Sequence, residues 1–420
     1  MSAKREIRYG GDVGWMEVMR MTIRVRMGAL LKGLGQSVLS LSFNLGGILA
    51  GTLLASYVDV FSVTPWAFLV FPGILSIRGA IGGLFSGRLS TALHIGTVRP
   101  SYSKNTRLFY LLLSATATLA LGSGVMMGLA ASLFGAFFSK TTAADSLVMM
   151  AVIIATMALS FVAISPITFG ISILSFKRGL DPDVVVYPVI STVADVLVTL
   201  CYILVLDSFF SSQLGPILIW LLDIAFLLAV SHILIKNRRE EEFAKTVKEF
   251  LLTLFLVAFI VNVTGLILGE ISQAIGDRPE IYVVYPALID TVGDVGSIVG
   301  STATTNLALG TLRPTFSSIK QHLAVIGDGW IASVIMFMLF FTAASTTHGT
   351  AVLGGLSKFA AQILITNVLS VSAIVIISYA VAINTYKRGW DPDNFVIPIE
   401  SSLADSITSL SLLIAVTTIV

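Results

Sequence analysis

The chain has 420 residues, of which 55% are hydrophobic and only 12% charged, with a formal net charge of +2. A soluble protein carries roughly 25% charged residues, so a water-facing surface around a chain of this size is excluded. The lone Cys201 excludes an intrachain disulfide and a cysteine metal cluster.

Residues 1–35 read as a basic cytoplasmic tail, with Lys4, Arg5, Arg8, Arg20, Arg24, Arg26 and Lys32. They contain no compact apolar core with a cleavage site, so a removable signal peptide is not expected. Trp15, Met16, Met19 and Met21 interleaved with arginines suit an amphipathic helix on an anionic leaflet. A basic tail that only fixes topology fits equally well. Eleven apolar stretches follow, at 37–60, 64–97, 107–138, 144–176, 184–211, 214–235, 250–272, 282–311, 322–345, 353–386 and 394–420. Each can cross a hydrocarbon core, which takes roughly 20 residues. The expected fold is therefore all-α, a polytopic protein of the lipid bilayer with 11 transmembrane helices. Basic residues collect in the tail and in alternate connections, 21 of the 26 on one side. By the positive-inside rule the N-terminus is then cytoplasmic and the C-terminus external, in a cell membrane. Topology accounts for these charges, and no nucleic-acid partner is implied.

The first stretch carries Asn44-x-x-Gly47-x-x-x-Gly51, and the second Pro72, Arg78, Gly79, Gly82, Arg88, Gly96 and Arg99-Pro100. The fifth is introduced by Phe176-Lys-Arg-Gly-Leu-Asp-Pro-Asp183 and continues through Tyr187-Pro188 to Ala194-Asp195. The sixth, 214–235, has no counterpart, and after the charged segment 237–248 the chain repeats itself. Asn262, Gly265 and Gly269 match the first motif at an offset of 218. Pro286, Gly293, Gly296, Gly310 and Arg313-Pro314 match the second at 214. Tyr386-Lys-Arg-Gly-Trp-Asp-Pro-Asp393, Ile397-Pro398 and Ala404-Asp405 match the third at 210. The expected organisation is one membrane repeat at 36–212, a linker span with its cytoplasmic loop at 213–248, and a second repeat at 249–420. Five spans plus one is an even number, so the second repeat re-enters from the same side as the first. The repeats are then parallel, about an axis along the membrane normal, and share any pathway on it.

Asp195 and Asp405 lie eleven or so residues into their helices, about 16 Å at 1.5 Å per residue. That is near the midplane, where an acid marks a polar pathway or a pair. A structural acid hydrogen-bonded to hydroxyls is the bland alternative. Asp294 lies comparably deep, with Asp290 one turn away on the same helix face. Asn44 and Asn262 add amide oxygens, and Glu400 is an acid whose equivalent is Ile190. Carboxylates, amides and hydroxyls are what hard cations prefer, so Asp195, Asp405, Asp294, Asp290, Asn44, Asn262 and Glu400 are the candidate metal-binding residues. The first repeat departs from this pattern, with Arg78, Ala80 and Arg88 where the second has Val292, Asp294 and Thr302. These arginines are expected to be counter-ions to acids such as Glu400 or Asp223, with an asymmetric pathway as the alternative. The four histidines show no metal-ligand spacing, and Gly122-Ser123-Gly124 lacks the strand-turn-helix setting of a nucleophile elbow. No catalytic residue, no cofactor and no enzyme activity is expected.

Gly179-Leu-Asp-Pro-Asp183 with Pro188 and Asp195 resembles the last-span motif of the MgtE magnesium channels. Asp391-Pro-Asp-Asn394 with Pro398, Ser401, Ser402, Leu403 and Asp405 resembles even more closely the eukaryotic solute carriers related to MgtE, as does Arg88-Leu-Ser-Thr-Ala92. The resemblance covers about residues 40–420. It implies tandem MgtE membrane domains with a linker helix, Mg2+ as transported ion, and the duplicated aspartates as its central site. Those proteins usually have Gly-Asn where this chain has Gly79-Ala80 and Gly293-Asp294. The large cytosolic Mg2+-sensing domains of MgtE have no counterpart before the first span, so gating by them is not expected.

The expected function is transport of divalent cations, chiefly Mg2+, between the repeats. An exchanger or carrier of another solute coupled to Na+ or H+ is the second reading, with Asp195 and Asp405 serving the driving ion. A non-transporting scaffold or intramembrane enzyme is the third. As a pseudo-dimer within one chain, the protein is compatible with a monomer.

Overall fold

The computed structural model describes residues 33–64, 66–101, 104–139, 141–178, 182–275, 278–348, 353–388 and 393–419. The tail up to residue 32 and the Gly-x-Asp-Pro turns at 179–181 and 389–392 lie outside them, as do the side chains of Pro188 and Pro398. The long helices, in chain order, are α1 (Gly33–Ser56), α2 (Trp66–Ile95), α3 (Arg107–Phe134), α4 (Ala143–Lys177) and α5 (Pro182–Ser211). Then come α6 (Gly215–Asn237), α7 (Glu241–Ile275), α8 (Pro279–Ala308), α9 (Ile319–His348), α10 (Leu353–Lys387) and α11 (Asp393–Thr418). No strand occurs among the described residues. Ten helices are long and apolar enough to cross a membrane. Among the described residues, α2 contributes the shorter apolar stretch Trp66–Gly82.

The helix faces follow from what each must touch. α6 exposes Leu218, Leu221, Leu228 and Ile235 and packs chiefly on α3, α4 and α5, a lipid-facing helix on one flank. α2, α5, α8 and α11 make the interior. There Phe61, Phe71 and Tyr202 pack edge to face or stacked, and Tyr202 donates its hydroxyl to the Ala67 carbonyl at 2.8 Å. Phe68 stacks on Tyr282 at 5.9 Å, tying α2 to α8.

The first helix of each sequence copy crosses to the other copy. α1 packs on α8, and α7 packs on α2. Both crossings require a residue without a side chain. A Cβ at Gly51 would overlap the Val283 carbonyl, and one at Gly265 would overlap the Leu69 carbonyl. Val283 and Leu69 are themselves 214 residues apart, the offset of the second-span motif. The glycines are not the sequence equivalents, however. Gly51 corresponds to Gly269, around which there is open space, whereas a Cβ at Gly47, the equivalent of Gly265, would come within 2.9 Å of the Ala287 backbone. The two crossings thus share their partner helices but slide by one turn. Small residues that let helix backbones touch are a main source of helix association in lipid.

Gly51→Ala and Gly265→Ala should each destabilise the folded protein by about 1–3 kcal/mol, since backbone cannot rotate away as a side chain can. Gly269→Ala should leave thermal unfolding in detergent unchanged. Equal melting of all three variants would contradict these crossings.

Candidate cation site

The interior acids sit on α5, α8 and α11, with α1 and α2 supplying polar partners. Asp195 and Asp405 are 8% and 6% exposed, while Asp290 and Asp294 are half-buried. The Ser76 hydroxyl donates to Asp405 Oδ2. The Asp195 carboxyl lies against that of Asp290, close enough to share a proton or a cation. These two contacts are sequence equivalents, since Ser76 and Asp290 are 214 residues apart and Asp195 and Asp405 are 210 apart. One position of the second span meets the last-span aspartate of the other copy, as hydroxyl to carboxylate in one case and carboxyl to carboxyl in the other. Asp195 also acts on Asp405, and Asp294 acts on both Asp195 and Asp290, so the four aspartates form one electrostatic cluster. Like charges this close in a low-dielectric interior repel strongly unless a cation or shared protons intervene.

Asn44 joins the cluster. Its Nδ2 donates to Asp294 Oδ2 at 2.8 Å and reaches Thr291 Oγ1 at 3.3 Å. Asn262 stays outside it. The position equivalent to Asp294 is Ala80, which offers no acceptor. Asn262 Nδ2 therefore turns to the Ala258 carbonyl of its own helix at 2.6 Å, beside Met127 Sδ at 3.5 Å. Glu400 is fully buried and lies over Gly296, where a Cβ would overlap its Oε1. Among the described residues no three or more His, Cys, Asp or Glu side chains are set to hold one metal ion. Asp290 and Asp294 stand one turn apart on α8, while Asp195 comes from α5 and Asp405 from α11.

The arginines do not behave as expected from sequence. Arg78 is buried at 2% exposure, yet its Nη2 reaches only the Ser160 carbonyl at 3.4 Å, and Nε and Nη1 have no partner. Arg88 donates to Thr246 Oγ1. The carboxylate oxygens of Asp223 and Glu400 are likewise unpaired. Among the described residues the ion pairs are Arg107–Glu240 and Arg278–Glu280, the latter at 2.7 Å. Neither Arg78 nor Arg88 is thus a counter-ion to those acids. The reason is facing: Arg78 points to Ser160 on α4 and Cys201 on α5, whereas Glu400 sits in the other copy against α8.

Two polar partners escape a reading of charged residues alone, Ser76 and Thr291. Ser76 was detectable, because it stands 214 residues before Asp290. Thr291 carries no such signal.

A family model described as a divalent cation transporter, MgtE, matches residues 71–205 and again residues 285–415. The first match includes Ser76 and Asp195, and the second Asp290, Asp294, Glu400 and Asp405. The chain is 22% identical over 389 residues to solute carrier family 41 member 2 of Xenopus laevis, covering 86% of this chain and 67% of that protein. No solved structure matches it significantly. With its family matched twice over more than half its length, and with carboxylates gathered inside an apolar helical bundle, the chain belongs to the MgtE family of divalent cation transporters.

Proposed function

We propose that the protein transports Mg2+ in preference to other divalent cations, along a pseudo-two-fold axis between two parallel five-helix repeats. α1–α5 form one repeat and α7–α11 the other, with α6 as linker, so that eleven helices span the membrane with the N-terminus in the cytoplasm. The observation that carries this reading is the doubled contact between second and last spans, Ser76 with Asp405 and Asp290 with Asp195. A position used twice, once from each copy, is what an axial pathway requires. Mg2+ gives up its waters reluctantly and demands close octahedral geometry. Carboxylates brought together from α5, α8 and α11 suit an ion that keeps part of its hydration shell and is read through water. The second copy contributes more negative charge, so the ion is expected nearer Asp294, with the Asn44 amide orienting that carboxylate.

Asp195→Asn and Asp405→Asn preserve size and remove one charge each. Both should weaken Mg2+ binding to the purified protein roughly tenfold or more, since interactions with charged groups contribute about 1.5–3 kcal/mol. Unchanged binding and unchanged flux into proteoliposomes in both variants would defeat the axial site.

Asp294→Ala, which installs the residue found at position 80, tests the asymmetry. It should weaken binding by a comparable factor, of order tenfold, because it removes one of the four clustered charges. The reciprocal Ala80→Asp should not. Parent affinity in Asp294→Ala would place the ion elsewhere.

A further inference from the structure

Glu400 shares its lack of partners with Asp223 on α6, but among the described residues it is the more deeply buried of the two and stands in the second copy beside α8. It is 0% exposed, and neither carboxylate oxygen has a hydrogen-bond partner. Ser297 stands beside it, outside hydrogen-bond geometry, and Asp294 is the carboxylate whose charge reaches it. Its place is cut into α8 by Gly296, whose missing Cβ is the space that Oε1 fills. An unpaired carboxylate costs several kcal/mol in such surroundings, so a side chain kept there with its donors missing is set to receive something that supplies positive charge.

Position matters as much as burial. Glu400 is five residues before Asp405 on α11, about 7.5 Å along the helix axis. On α8, Asp290, Asp294 and the Gly296–Ser297 pair succeed one another in the same direction. Glu400 is thus the next step of the carboxylate series after Asp294. Beyond it α8 presents Ser301 and Thr304, one half-buried and one buried, whose hydroxyls bond to their own helix. In the first copy the equivalent contact is made by Ile190 over Gly82, with 3.9 Å between Ile190 Cγ2 and a Cβ built at Gly82. The backbone frame is the same, but there the step is apolar, and the buried cation of Arg78 lies on the same helix as Gly82.

We propose that Glu400 is a second resting position for the divalent cation, between α8 and α11, and that ions pass between the central aspartates and the α11 Asp393 end through the second copy alone. The proposal rests on the central cluster being a cation site. Repulsion from an ion held at Glu400 helps release the one behind it, and the carboxylate lowers the barrier that an apolar residue such as Ile190 raises.

The test compares binding with flux in the full chain. Mg2+ binding is measured by calorimetry on purified protein, and Mg2+ uptake by an indicator trapped in proteoliposomes. Glu400→Gln should slow uptake about tenfold, an activation difference of ~1.4 kcal/mol, while the affinity of the central site changes less than about threefold. Glu400→Asp, which keeps the charge, should recover most of the uptake. Glu400→Ile copies position 190 and guards against misfolding of the amide variant; it should show the same loss of uptake with binding retained. Parent uptake in a folded Glu400→Gln or Glu400→Ile protein overturns the proposal. So does a parallel loss of binding and uptake, which would make Glu400 part of the central site. Asp195→Asn in the same assays separates the two readings. If it loses binding while Glu400→Gln transports normally, only the second position is wrong; if neither variant changes anything, the central site itself is wrong.

Discussion

Burying several carboxylates inside a bundle that faces lipid is the constraint on which the rest depends. Each acid would be costly alone at membrane depth, and neighbouring like charges raise the cost further. The bundle meets this by enclosure and by local polar partners. α2, α5, α8 and α11 surround the acids, Ser76 and Asn44 donate to two of them, and the outer helices present aliphatic faces to lipid. Enclosure at that density needs backbones in contact. That is why Gly47, Gly51 and Gly265 stand where α1 and α7 cross the opposite copy's second helix. Among the described residues Arg78 and Arg88 do not balance the remaining negative charge, since they face elsewhere.

The duplicated frame and the differences hung on it have separate consequences. Equivalent contacts recur with different chemistry at their ends. Asn44 finds Asp294, whereas Asn262 finds no acceptor at Ala80 and bonds to its own helix. Ser76 meets Asp405 where Asp290 meets Asp195. Ile190 covers Gly82 where Glu400 covers Gly296. In each comparison the first copy keeps the shape and the second copy carries the charge. A duplicated sequence can therefore carry a site whose chemistry is not duplicated.

Much of this was legible in the residues. A charged fraction of 12% with apolar runs of membrane length pointed to a helical membrane protein, and the repeat at 210 residues singled out Asp195 and Asp405. Asp290 and Asp294 followed from helical spacing, and the structure places both with those two aspartates. What escaped depends on which way a side chain faces after folding. Nothing local to Arg78 says that it turns toward Ser160 and away from an acid. Nothing local to Asn262 says that its partner position has become alanine. The glycine motifs show the same limit, because their spacing reads identically at Gly51 and Gly269 while only Gly51 touches a backbone. Pairing across the repeat offsets would have exposed Ser76, since the offset that relates Pro72 to Pro286 also relates Ser76 to Asp290.

Arg78 gives the asymmetry a physical direction. It lies two residues from Ser76 on a helix that lines the cluster, is buried, and has no acid beside it. A guanidinium stays charged under all ordinary conditions, so its field in a low-dielectric interior is felt across several ångströms. On the proposed pathway, that field would oppose a cation approaching along α2 and favour the α8 side, with Asp290, Asp294 and Glu400. Its own cost of burial is offset in part by the Ser160 carbonyl. An arginine on one side and an added row of acids on the other act in the same sense. Together they would give the proposed pathway a preferred face for positive charge.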